Sequence, residues 1–378
     1  MENEDDGQQL RAVSSLPTLD TIIGFWPAVN GAMSLDLAEL FVRCCALVLV
    51  VLVSARWARR QRKARLPAPG ERAMSLLLGP PVAPTAHPTA SATSAAHAAR
   101  WRPREDDVIV LSFPKTGTTW VQQVCEQLRS RGSMDFAEIS QRQPWLEFAL
   151  DVGQSLDAPH AHGPRVFKSH QRPAAAPRGC KYIITVRAPE ATLASHFAFM
   201  AHKQVEAVRA FSSADEYATR SDHWFGNDIF GTTYFEFVRE AWRIRHLPCV
   251  LLISYELMLE QPEAHARRIA AFLGVVPAPA LVRRAVERSR KEFMLAHAHQ
   301  FDDSWLAAQQ RALGRSRGVI TPGPKVTAEH REPLAPYTRA LLASVWREVV
   351  TPTTGLGSYD ELLVALREEQ PFETASPS

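Results

Sequence analysis

The sequence predicts an α/β fold built on a central parallel sheet. Three observations point to it. The segments VIVLSF (108–113), YIITV (182–186) and VLLIS (250–254) are apolar almost throughout, without the alternation of a half-exposed strand. Such runs suit strands covered on both faces. Longer segments with helical spacing follow them, at 118–131, 189–200, 234–245 and 262–273. Strands alternating with helices imply parallel pairing through crossovers.

Each element has a local reason. The strand at 108–113 is bounded by Pro114, which has no N–H for a ladder. The helix at 118–131 meets Gly132, a residue suited to the left-handed turn that ends helices. RVFK at 165–168 is a short strand candidate. Pro189 stands early in the first turn of the helix at 189–200, where its missing N–H costs nothing. The helix at 234–245 is rich in aromatics, and the helix at 262–273 stops at Gly274.

The N-terminal third reads differently. Residues 1–36 carry six acids against one base and read as a flexible acidic tail. CCALVLVVLVSA at 44–55 is an unbroken apolar run, followed by RWARRQRKAR at 56–65 with six positive charges. An apolar helix with a basic flank, within residues 37–66, suits a single-pass or interfacial membrane anchor through residues 40–55. The positive-inside rule then places the following domain in the cytosol, with a Golgi lumen the alternative. Residues 67–104, rich in Pro, Ala, Ser and Thr, read as a linker.

Composition narrows the function. The chain has 378 residues, 46% apolar and 22% charged, which excludes a wholly disordered chain, a collagen and a polytopic membrane protein. Of its net charge of +3, the N-terminal 100 residues carry +2, leaving residues 101–378 near neutral at +1. That disfavours a nucleic-acid-binding domain. Five scattered cysteines, with no Cys-x-x-Cys pair, predict neither a disulfide framework nor a metal site.

The densest chemical signal is SFPKTGTTW at 112–120, between strand and helix. It is not a Walker A loop, because Lys115 precedes Gly117 and no glycine lies upstream. The physics is related. Gly117 permits close backbone approach, the helix that follows offers free N–H groups, Lys115 adds a charge, and Thr116, Thr118 and Thr119 add hydroxyls. Such a loop suits a phosphate or sulfate.

The stretch resembles the 5′-phosphosulfate-binding loop of the sulfotransferases that use 3′-phosphoadenosine-5′-phosphosulfate (PAPS), whose pattern is Tyr/Phe-Pro-Lys-Ser/Thr-Gly-Thr-Thr-Trp. RVFKSH at 165–170 is similar to that family's strand ending in Lys-Thr-His. YIITVRAPEATLASHF at 182–197 resembles its 3′-phosphate strand and helix, with Arg187 and Ser195 at the family spacing. Residues 231–258 look like its amphipathic helix, strand and Tyr-Glu turn, with Tyr255 at the turn. The resemblance runs from about 108 to about 330.

The resemblance implies a P-loop-like, three-layer sulfotransferase fold over 105–370, with PAPS as co-substrate and no metal. It implies His170 as general base, Lys115 on the leaving oxygen, and Lys168 with the loop amides on the sulfuryl group. Arg187 and Ser195 would hold the 3′-phosphate, and Ser195 would also restrain Lys115. Trp120 and Tyr255 would contact the adenine.

GRSRGVITPGPK at 314–325 departs from the family's closing Arg-Lys-Gly-x-x-Gly-Asp-Trp-Lys loop. Arg317 and Gly318 fit its start, with Arg315 competing for the arginine role, and Gly323 and Lys325 stand near its end. The spacing between glycines is two residues longer, and Asp-Trp is absent. The segment 287–294 also lacks the Thr used around the adenine by better-known members.

Trp145, Phe148, Phe211, Trp224 and Phe225 suit a partly apolar pocket for a small-molecule or carbohydrate acceptor. Two other readings stand beside this one. One is a P-loop nucleotide kinase, and the other is a catalytically inactive, membrane-tethered nucleotide-binding protein.

Overall fold

The computed structural model describes residues 69–85, 87, 89–203, 206–220, 231–315, 318–327 and 333–369. The acidic tail, the apolar run with its basic flank, Trp224, Phe225 and Arg317 lie outside the described residues. No helix among the described residues is long and apolar enough to cross a membrane.

Four strands form the predicted parallel sheet in the order β2-β1-β3-β4. They are β1 (Val108–Ser112), β2 (Val166–Ser169), β3 (Lys181–Val186) and β4 (Val250–Ser254). Val110 pairs with Lys168 on one side and Ile183 on the other, which places β1 at the centre.

The apolar runs bury both faces, because successive side chains point to opposite sides of a strand. Ile109, Leu111, Phe167, Tyr182, Ile184 and Leu252 pack with Tyr234, Phe237 and Trp242 of the helix Tyr234–Ile244 and with Trp346. The intervening Val108, Val110, Ile183, Leu251 and Ile253 pack with Val121, Val124 and Leu128 of the helix Thr118–Arg129 and with Ile269 and Leu273 of the helix Pro262–Leu273. Two cores on opposite faces of one sheet make three layers. At the base of the sheet, Arg165 donates to both oxygens of buried Asp107, at 2.8 and 2.6 Å.

The region read as a linker is structured. It contains helix α1 (Pro69–Leu78) and helix α2 (Ala92–Arg100), and it belongs to the compact unit Pro67–Ser378. The Ala-rich stretch has high helix propensity, and the Ser91 hydroxyl caps it by accepting from the Ser94 N–H. Met74, Ala98 and Trp101 are buried, and Trp101 packs 4.7 Å from the Phe167 ring. A few well-placed apolar residues dock a segment whose average composition reads as loop.

Element ends shift slightly from the sequence reading. The third helix, α3 (Thr118–Arg129), stops two residues before position 131, and the Gly132 N–H returns to the Gln127 carbonyl at 2.8 Å. The fourth, α4 (Pro189–His202), runs past position 200.

Candidate active site

The chain leaves β1 for β2 on one side, then crosses to β3 on the other. A crevice therefore opens at the carboxyl ends of these strands, the usual ligand position in an open α/β sheet. A cavity of about 750 Å³ lies there. The loop after β1 brings Lys115, Gly117, Thr118, Thr119 and Trp120 to its wall. The ends of β2, β3 and β4 bring Lys168 and His170, Arg187, and Tyr255 respectively, and α4 brings Ser195. Segments far apart in the sequence thus meet in one place.

The loop is held tightly. Lys115 has φ 69° and Gly117 has φ 105°, both in the left-handed region. A Cβ on Gly117 would stand 2.9 Å from Cδ2 of Tyr255, so the close approach requires glycine. The Ser112 and Thr118 hydroxyls are 2.6 Å apart. Thr116 does not line the cavity: its buried hydroxyl donates to the Phe113 carbonyl at 2.8 Å and lies 2.9 Å from the Thr185 hydroxyl. It braces the loop instead of presenting a donor to a ligand. The Lys115 ammonium donates to the Lys325 carbonyl at 3.4 Å and lies 4.1 Å from the centre of the Phe199 ring.

His170 is set up as a proton acceptor. Nδ1 lies 2.8 Å from the Ser112 carbonyl oxygen, which only accepts, so the ring's proton sits on Nδ1 and its lone pair on Nε2. Burial, then the charge of Lys168, hold the imidazole well below its ordinary range. The ring is therefore neutral near pH 7. Burial, then Lys325, likewise lower Lys168 to about 7.

At the other end Arg187 donates to the Lys115 carbonyl at 3.2 Å, and its guanidinium lies 4.2 Å from the Tyr255 ring centre. Tyr255 in turn meets Trp120 edge-on at 5.2 Å. The three side chains form a continuous wall.

A buried ionic cluster completes the floor. Lys325 pairs with Asp303 at 2.5 Å and with Glu138 at 3.1 Å, and Lys203 pairs with Asp303 at 2.7 Å. Burial opposes the Lys325 charge, but Asp303 and Glu138 outweigh it and hold the ammonium above its ordinary value. Burial would raise Asp303, yet Lys325 and Lys203 hold it below the ordinary carboxylate range. Burial keeps Glu138 above that range despite Lys325.

Other expectations fare unevenly. Arg315 is committed to Asp151 at 2.5 Å and donates to the Thr89 carbonyl at 3.0 Å. Gly318 lies against the Thr89 backbone and is not on the cavity wall. Trp145 lines the cavity, with Phe148 behind it at 4.4 Å. Phe211 packs instead on Tyr217 at 5.5 Å, in the main core. Sequence reasoning missed His87, Lys203, Ser289, Arg290, Lys291 and Asp303, all on the wall. No motif marks His87, Lys203 or Asp303, and Ser289, Arg290 and Lys291 lie in the segment 287–294, where the sequence departs from the family's.

Among the described residues, seven cations and two acids line the cavity. Arg187 Nε and Ser289 Oγ are buried there without a hydrogen-bond partner. This donor set fits a polyanionic nucleotide. Among the described residues no group of His, Cys, Asp and Glu is arranged to hold a metal ion.

Fold and cavity define an α/β protein with a donor-rich, cationic loop at the sheet's switch point. The sulfotransferase domain model matches residues 105–313, more than half of the chain, and the chain belongs to that family. It is 23% identical to Sulfotransferase 1C2 of Oryctolagus cuniculus over 45% of this chain and 60% of that protein. The match thus spans less than two thirds of that relative's length. It is 27% identical to 3-alpha-hydroxysteroid sulfotransferase of Cavia porcellus, over 50% of this chain and 67% of that protein. The crystal structure of mouse sulfotransferase SULT7A1 complexed with PAP shares the fold, with TM-score 0.51, 19% identity, and coverage of 74% of this chain and 95% of that one.

Proposed function

We propose that this chain transfers a sulfuryl group from PAPS to a hydroxyl or amine acceptor, with His170 as general base. The observation that carries the reading is the placement of the Lys115 loop and the Nδ1-anchored His170 on one cavity wall. PAPS supplies the sulfuryl group when bound. Lys115, Gly117, Thr118 and Thr119 hold the anionic end, and Arg187 with Ser195 holds the 3′-phosphate. Trp120 and Tyr255 offer aromatic surface to the base. Lys168 supplies positive charge beside the reacting centre, as electrostatic catalysis of group transfer requires. His170 Nε2 receives the acceptor's proton.

Trp145, Phe199, Met200 and Ile320 make the acceptor side partly apolar. That surface favours a small-molecule alcohol or phenol over a carbohydrate. The steroid substrate in the guinea-pig relative's name is of the same kind. The apolar run at 40–55 and its basic flank support membrane association with a cytosolic domain. A glycosylation site placed at the C-terminus would be modified if the domain is lumenal.

The test is a thermal-shift titration with 3′-phosphoadenosine-5′-phosphate (PAP) and with ATP. PAP stabilises the wild type more than ATP does. Lys115→Ala weakens the shift, and His170→Ala keeps it while abolishing transfer of labelled sulfate from PAPS. Stabilisation by magnesium-ATP alone would overturn the reading in favour of a kinase. PAP binding without transfer to any hydroxyl or amine probe would leave a nucleotide-binding protein without turnover.

A further inference from the structure

We propose that His87 selects the sulfuryl acceptor, and that the acceptor it selects is an alcohol or phenol carrying a second oxygen that accepts a hydrogen bond. The proposal rests on the transfer reading above and deepens it by naming the acceptor's chemistry. Trp145, Phe199, Met200 and Ile320 give that side of the cavity an apolar wall, and His87 lines the same cavity. It stands outside residues 105–313, so the family match does not assign it.

The protonation of the ring follows from its neighbours. The Thr89 N–H donates to His87 Nδ1 at 3.2 Å, and the Thr89 hydroxyl lies 2.9 Å from the same nitrogen. A backbone N–H only donates, so Nδ1 is an acceptor and carries no proton. Burial, then the charge of Lys168, lower the imidazole to about 4, so the ring is neutral at pH 7. Its one proton therefore sits on Nε2. His87 thus brings a donor without a charge to an apolar wall. His170 has the opposite tautomer, with its proton on Nδ1 toward the Ser112 carbonyl. The two histidines divide the work. His170 Nε2 accepts from the reacting hydroxyl, and His87 Nε2 donates to an oxygen elsewhere on the same molecule.

The place of the ring is fixed. Trp145 meets His87 edge-on at 5.6 Å and His170 edge-on at 5.3 Å, so one indole spaces the two imidazoles. Phe148 meets His87 edge-on at 4.9 Å. Gln171, the residue after His170, accepts from the Thr85 N–H at 3.0 Å and donates to the Thr85 carbonyl at 2.7 Å. The Ala90 N–H closes on the His87 carbonyl at 2.9 Å, and Asp151 accepts from the Ser91 N–H at 2.8 Å. The segment that carries His87 is therefore tied on both sides to the walls of the site. A donor held in place separates ligands of like shape by whether they carry an oxygen to receive it.

The experiment uses phenols with a para chain of three, four or five carbons, each with and without a ketone at the penultimate carbon. The ketone is insulated from the ring, so the reacting hydroxyl is the same in each pair. Binding is read by isothermal titration calorimetry into the PAP-loaded full chain, and transfer by labelled sulfate from PAPS. In the wild type the ketone of at least one pair binds about tenfold more tightly than its alkylphenol. His87→Phe keeps a ring against Trp145 and Phe148 and lowers that ketone to the level of the alkylphenol, whose own affinity stays within about twofold. His87→Gln, which supplies an N–H donor again, recovers part of the preference. Unchanged PAP affinity in both variants reports an intact fold. Equal affinity within all three wild-type pairs, or a ketone preference that survives in His87→Phe, overturns the subsite whether or not transfer occurs. A preference lost in His87→Phe with no transfer to any of the phenols supports the subsite and overturns the transfer reading.

Discussion

The ammonium nitrogen of Lys168 lies 3.6 Å from the centre of a Trp145 ring, and Trp145 meets the His170 imidazole edge-on at 5.3 Å. One side chain thus positions both the cation and the base proposed for the reaction. The indole face stabilises the charge electrostatically, while burial and Lys325 act against it. Lys168 is thereby poised at about 7, within reach of a bound anion's influence.

Donor binding is therefore expected to take up a proton at mildly alkaline pH. With its amine at about 7, Lys168 is mostly neutral at about pH 8 in the free protein. An anion placed beside it favours the ammonium and raises its pKa. PAP titrations in two buffers of different ionisation enthalpy should show uptake at about pH 8 and less at about pH 6. Lys168→Met should abolish the difference between buffers. Equal uptake in that variant would assign the proton to another group.

The same residue should cost stability. Its amine falls from 10.5 when exposed to about 7 in the fold, so the buried charge is fully unfavourable below about 7 and the cost disappears as pH rises toward 10.5. Lys168→Met should melt at a higher temperature than wild type at neutral and lower pH, with the gap narrowing above it. Differential scanning calorimetry across that range measures both features. A variant that melts lower at every pH would show that Lys168 is stabilising.

Lys325 should behave in the opposite way. Lys325→Met leaves Glu138 buried without its ammonium, while Asp303 keeps Lys203 at 2.7 Å. Breaking a buried pair from one side typically costs about 3–5 kcal/mol. Adding Glu138→Gln to Lys325→Met should recover part of that loss, because the orphaned carboxylate is gone. Urea unfolding of the two single variants and the double variant closes the cycle, and strict additivity would show that the pair is not coupled.

Arg187→Lys tests geometry at constant charge. The guanidinium stacks on Tyr255 and donates to the Lys115 carbonyl at once, which a lysine cannot do. PAP affinity should fall about tenfold, with more than half of the loss absent for adenosine 5′-phosphate. Calorimetry with both nucleotides measures it, and unchanged PAP affinity would remove Arg187 from the phosphate site.

Much of the site was legible because a motif is a local object. The loop from Ser112 to Trp120, the histidine after β2 and the arginine at the end of β3 each follow an apolar strand readable in sequence and meet on one cavity wall. Even so, the motif assigned Thr116 to the ligand. In the fold that hydroxyl braces the loop against Phe113 and Thr185, because a tight left-handed turn needs an internal tie. The segment 92–100 was misread for a different reason. Composition averages over residues, while docking depends on a few, here Ala98 and Trp101.

Local chemistry in the sequence determined which strands are buried, where the donor-rich loop stands and which histidine follows the second strand. Apolar runs, turn residues and helix starts act over a few neighbours, so they can be read in order along the chain. Only the tertiary structure decided that Glu138, Lys203, Asp303 and Lys325 neutralise one another beneath the cavity, that Arg315 is consumed by Asp151, and that Arg290 and Lys291 reach its rim. Charges separated by many residues acquire partners only when the sheet's change of direction folds their loops together. Which cations remain available to a ligand is therefore a property of the packed molecule.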